Sequence, residues 1–184
     1  MKILLGILLA TVAMFVFGAV FWMNPLTTSF FMQSADDRRT GTQLKELFPE
    51  TGTYVVPSMK NDPELLASLH EAGPIATVHV RHEGAPVMDP MMMVTGFAHE
   101  LVSVGFAAVL LLSLGGSLNT YSKRVGFLVC LGAMIAWFSP LSAPIWWMHP
   151  WPMHVVDAVY IILAWTITGL VLAAFIGAPV KKAG

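Results

Sequence analysis

Cysteine is almost absent from this chain: there is one, Cys130, in 184 residues. That excludes an intramolecular disulfide and any cysteine-cluster zinc or iron–sulfur site, and Cys130, lying in an apolar run, reads as a small core hydrophobe. Charge is scarce as well, with 11% Asp, Glu, Lys and Arg and a formal net charge of −1. With no long Lys/Arg run the dense basic footprint of a nucleic-acid binder is missing. No HExxH, paired ExxH, CxxC or CxxCH motif occurs, which removes the commonest signatures of zinc hydrolases, di-iron bundles, redox dithiols and c-type haem. There is also no nucleotide-binding loop, and neither the inverted repeat nor the broken midplane helices of a transporter.

What the chain has instead is apolar length. It is 56% hydrophobic with a mean hydropathy of +0.70, far outside the range of soluble domains. Four stretches are long enough for a hydrocarbon core about 30 Å thick: "ILLGILLATVAMFVFGAVFWM" (3–23), "MMMVTGFAHELVSVGFAAVLLLSLGG" (91–116), "RVGFLVCLGAMIAWFSPLSAPIWW" (124–147) and "MHVVDAVYIILAWTITGLVLAAFIG" (153–177). The first reads as an uncleaved anchor, because its apolar part exceeds a signal-peptide core and "GAVFWMN" offers no small-x-small cleavage site. The expected fold is a membrane α-helical protein, a four-transmembrane-helix bundle with a small α/β extracytoplasmic domain between helices 1 and 2. Its expected parts are helix 1 over 1–23, the domain over 24–89, helices 2–4 over 90–178 and a cytoplasmic tail over 179–184.

Lys2, Lys123, Arg124, Lys181 and Lys182 all fall on one side of that threading, which the positive-inside rule makes the cytoplasm. Both termini are then cytoplasmic, in a bacterial inner membrane. The turn "MHPWPMH" and residues 24–89 lie together on the outer side. Within 24–89 the order reads helix, strand, helix, strand: "DDRRTGTQLKELFP", "GTYVVPSM", "NDPELLASLHEAG" and "IATVHVRHEG". The second helix has a cap at Asn61 or Asp62, Pro63 in its first turn and Gly73 as a stop. The last strand alternates, with His79 and, just after it, His82 expected to be solvated. About 65 residues give a thin core, so this region is expected to lean on the spans or on a partner.

The segments "GTYVVP" and "GPIATVHVRHEG", with helices ending "IWW…P" and "AWTITGLVLAAF", resemble a set of small bacterial inner-membrane proteins. The resemblance implies the four-helix topology over most of the chain. It implies no activity, cofactor or functional residue.

Ionisable groups inside spans are costly and mark candidate sites. His99 and Glu100 sit in the second span, His149 at the turn, and His154 and Asp157 three residues apart in the fourth; all five fall in the outer half of the bilayer or at its interface. As a metal site they would supply imidazoles and a carboxylate, with Met148 and Met153 as soft ligands for copper, and Met88 and Met91–Met93 nearby. Haem or quinone could use the same residues. The architectural reading makes Trp146, Trp147 and Trp151 an interfacial belt, Pro150 and Pro152 a tight turn, and His154 and Asp157 hydrogen-bonding partners of His99 or Glu100. Met91–Met93 then serve as adaptable packing. Pro140 and Pro144 predict a kink in the third span.

Gly6 with Ala10, and Gly169 with Ala173 and Gly177, form small-residue faces suited to close helix approach, within the bundle or against another membrane subunit. The expected role is a non-enzymatic inner-membrane accessory subunit in contact with the lipid bilayer and other membrane subunits. The alternative is a copper or redox-cofactor protein using the outer-side His/Asp cluster.

Overall fold

A computed structural model describes residues 1–176. Gly177, Lys181, Lys182 and the expected tail over 179–184 lie outside the described residues. Among the described residues four helices are long and apolar enough to cross a membrane, and the chain is a multi-pass membrane protein. They are α1 (Lys2–Trp22), α5 (Pro90–Ser113), the compound span from Tyr121 to Trp146 and α8 (Trp151–Phe175).

Local chemistry accounts for their ends. Asp89 accepts from Met91 N–H and precedes Pro90, whose missing donor costs nothing in a first turn. Thr120 caps α6 (Tyr121–Phe138) by accepting from Lys123 N–H. The expected kink is a full break: α6 stops at Phe138, a 3-10 turn follows over Pro140–Ser142, and a short helix α7 (Ala143–Trp146) completes the span. Proline lacks the donor that would continue the ladder and its ring displaces the preceding turn.

The spans pack chiefly as α5 on α1, α1 on α8 and α8 on α6, so α5 and α6 flank a central pair. Glycines set the closest approaches. A Cβ on Gly132 would lie 2.6 Å from Trp165 Cβ, and one on Gly6 would lie 2.5 Å from Phe175 Cβ. Gly169 faces Leu128 and Val125, while Ala10 and Ala173 are buried. These small-residue faces are therefore used within the chain. The core consists of Val104, Ala107, Ala108, Leu111, Leu128 and Leu172 with their neighbours. Cys130 is not in it. Its thiol is exposed on the outward side of α6, because Leu128, Gly132 and Ala136 take the inward positions.

Between α1 and α5 the chain forms a short helix α2 (Pro25–Thr28), α3 (Asp37–Leu47), strand β1 (Gly52–Val56), α4 (Pro63–Ala72) and strand β2 (Ala76–Val80). Asp62 caps α4 through Leu65 N–H, and Gly73 ends it at φ +65°, a backbone conformation open to glycine. The strands pair antiparallel, with Thr53 opposite His79 and Tyr54 opposite Val78. None of the residues in these short elements is fully buried except Thr27. The sheet shares an apolar crevice with Trp146, Trp147 and Met148, so it leans on the end of the membrane bundle.

Candidate functional site

The turn between α7 and α8 runs Trp147 to Pro150. Met148 holds φ +55°, the only non-glycine positive φ among the described residues. Pro150 and Pro152 bracket the start of α8 and restrict the backbone around Trp151. This brings His149, before the helix, over His154 in its first turns. The two rings stack at 5.3 Å with 27° between planes, and His149 Nδ1 stands 3.2 Å from His154 Nε2. One of these nitrogens must carry a proton for that contact to be a hydrogen bond. The opposite ring nitrogens, His149 Nε2 and His154 Nδ1, are buried without a partner. His154 Nδ1 is 4.0 Å from Asp157 Oδ2, an ion-pair distance and too long for a hydrogen bond.

A cavity of about 710 Å³ opens beside the pair, walled by Met32, Met148 and Met153 as well as by both histidines. On the other side His149 shares a smaller cavity with His79 and Thr53. His79 Nδ1 lies 2.9 Å from Thr53 Oγ1 across the strand pair. Burial, followed by the neighbouring imidazoles of His154 and His79, holds His149 below the ordinary imidazole value.

The five residues singled out from the sequence come together only in part. His149, His154 and Asp157 form one line. No hydrogen bond joins His99 or Glu100 to them among the described residues; the expected interhelical pairing of His154 and Asp157 with His99 or Glu100 is not made. His154 meets His149 instead. His99 is exposed on α5, about 14 Å along the helix from Pro90, and Glu100 Oε2 is buried without a partner. Adjacent residues on a helix diverge by about 100°, which is why the pair cannot face one centre. Asp157 also lines a crevice with Trp22, Pro140 and Tyr160 where the third span breaks. Among the described residues no three His, Cys, Asp or Glu side chains stand so as to hold a metal ion.

Sequence reasoning missed His79. The alternation of β2 put it on the exposed face correctly, but that face is the one turned to Thr53 and His149. His82 is also more than a solvated side chain: its Nε2 meets the Phe48 carbonyl and its backbone N–H donates to Thr51 Oγ1 at 3.0 Å. Thr51 in turn donates to Glu83 at 3.2 Å. Hydrogen bonds from the Glu83 backbone and then from Thr51 hold the Glu83 carboxyl below the ordinary range. These contacts tie the turn before β1 to the segment after β2.

Comparison with family models, with curated proteins and with solved structures returns no match.

Proposed function

We propose that the chain is a non-enzymatic accessory subunit of a larger assembly in the bacterial inner membrane. In this reading residues 24–89 form a small extracytoplasmic α/β domain that presents its surface to partners. Lys2, Lys123 and Arg124 stand at the ends of spans opposite that domain, which supports a cytoplasmic assignment for those ends. The observation that carries the subunit reading is the outward face of α5. This helix packs chiefly on α1, and Thr95 and His99 are exposed one turn apart, with the half-buried Ser103 a further turn along. The Thr95 and Ser103 hydroxyls donate to carbonyls of their own helix, Met91 at 2.8 Å and His99 at 3.0 Å. The His99 ring has no hydrogen bond among the described residues. An imidazole at that depth is costly in hydrocarbon unless a donor or acceptor meets it, and a second membrane protein supplies one through interhelical hydrogen bonding.

A photoreactive amino acid at His99 or Phe106 tests this in native membranes. A discrete protein adduct is expected from α5 and lipid adducts alone from Met134 and Trp137, which are exposed on α6. Lipid adducts from all four positions, together with a monomer after mild solubilisation, would overturn the reading. Sidedness has its own test in a Cys130→Ser background: a membrane-impermeant maleimide on intact spheroplasts should label Ser34→Cys and leave Ser122→Cys unlabelled. The reverse pattern would invert the topology.

A further inference from the structure

We propose that His149 and His154, with a thioether from the methionines of the adjoining cavity, form a binding site for monovalent copper.

The spacing of the two nitrogens is the first support. A first-row metal ion sits about 2.0 Å from an imidazole nitrogen, so two such ligands at trigonal or tetrahedral angles stand about 3.3–3.5 Å apart. His149 Nδ1 and His154 Nε2 stand 3.2 Å apart, within a few tenths of an ångström of that separation. The tautomers are the second. Metal ligation through those two atoms places the ring protons on His149 Nε2 and His154 Nδ1, the two nitrogens now buried without partners. Asp157 Oδ2, 4.0 Å from His154 Nδ1, then faces an N–H. A small ring rotation completes the carboxylate–histidine–metal arrangement that fixes ligand orientation in many metal sites. Three otherwise separate features acquire one explanation: the close nitrogens, the orphaned His154 Nδ1 and the carboxylate behind it.

The ion follows from the remaining donors. Among the described residues no third His, Cys, Asp or Glu joins the pair as a ligand, which leaves a zinc ion without the set it ordinarily takes. The other donors at hand are sulfurs: Met148 and Met153 flank the two histidines in sequence, and with Met32 they wall the same cavity. Soft thioethers select monovalent copper over zinc and over the harder divalent ions. Two neutral imidazoles and a thioether add no charge of their own, so a monovalent ion brings a single positive charge, which the Asp157 carboxylate behind His154 faces. The prolines at 150 and 152 and the left-handed backbone of Met148 hold the histidines together before any ion arrives; backbone strain of this kind gathers at ligand clamps.

The test uses the full chain purified in detergent and stripped of metal. It is titrated anaerobically with Cu(I) against a chromophoric Cu(I) chelator, with Zn(II) in a parallel series. One equivalent of Cu(I) is expected, with nitrogen and sulfur scatterers in X-ray absorption and a clear preference over Zn(II). His149→Ala and His154→Ala should each weaken Cu(I) by about a hundredfold, and Asp157→Asn by about tenfold, in line with losses at orienting partners. His99→Ala should leave affinity unchanged. Absence of binding to the folded wild type would overturn the proposal, as would tighter Zn(II) than Cu(I) or an absorption spectrum without sulfur. Binding retained in a folded His149→Ala, His154→Ala double variant would do the same. Because the wild-type titration and spectrum decide the matter alone, a variant that fails to fold does not shield the idea.

Discussion

Gly132 on α6 and Trp165 on α8 meet so closely that a Cβ on the glycine would stand 2.6 Å from the tryptophan Cβ. The contact is between the roots of two side chains on packed helices, where neither backbone can retreat without separating the helices. Gly132→Val is therefore expected to destabilise the bundle by about 1–3 kcal/mol, the usual cost of overpacking, read as a lower midpoint in SDS or thermal unfolding. Gly126→Ala, whose added methyl meets nothing within 4 Å on the same helix, serves as the control and should be neutral or slightly stabilising. Equal losses in the two variants would mean that close approach at Gly132 does not hold α6 on α8.

Cys130 offers a probe of which side of α6 faces lipid. Its exposure lies near the middle of the helix, so a lipid-soluble maleimide should modify it in membranes while a charged one should not. Cys130→Ala should change stability by less than about 0.5 kcal/mol, as expected of an exposed site. Protection from both reagents would return the residue to the core.

The tie from His82 to the Phe48 carbonyl closes the loop region against β1. His82→Ala should cost about 0.5–1.5 kcal/mol of local stability, the net worth of one hydrogen bond. Hydrogen exchange over residues 48–54 should accelerate, while exchange in the four spans stays unchanged.

Glu83 gives the same region a pH dependence of known sign. Its carboxyl is held below the ordinary value of 4.5, so the unfolded segment binds protons more readily than the folded one as pH falls. The stabilisation is complete above about the ordinary value and is lost as pH drops through the lowered folded value. Glu83→Gln should remove this acid dependence from exchange over 48–54, and Thr51→Val should reduce it, because the Glu83 backbone hydrogen bond is the larger cause. A wild-type profile flat from pH 6 to 3 would show that neither the backbone hydrogen bond nor the Thr51 contact holds the Glu83 carboxylate.

Much of this protein is legible residue by residue. Apolar length gives the four spans, because an uninterrupted run of about 20 residues has few alternatives to crossing a bilayer. Asp62, Asp89, Gly73 and the prolines mark element ends, because each acts on its own backbone within a turn. The strand–helix–strand order around Gly52–Val80 follows from the same local signals.

Helix rotation and helix order belong to the tertiary structure. The spans are apolar all round, so periodicity does not say which face turns inward. That is why Cys130 could be assigned to the core and His99 to a shared centre with His154, whereas packing turns both outward. It is also why His79, remote in sequence, was not grouped with His149. Local chemistry determined where each segment starts and stops. Only the fit of Gly132 to Trp165, of Gly6 to Phe175 and of the strand pair to the Met148 turn decided which polar side chains meet, because those contacts depend on distances between elements that no single segment encodes.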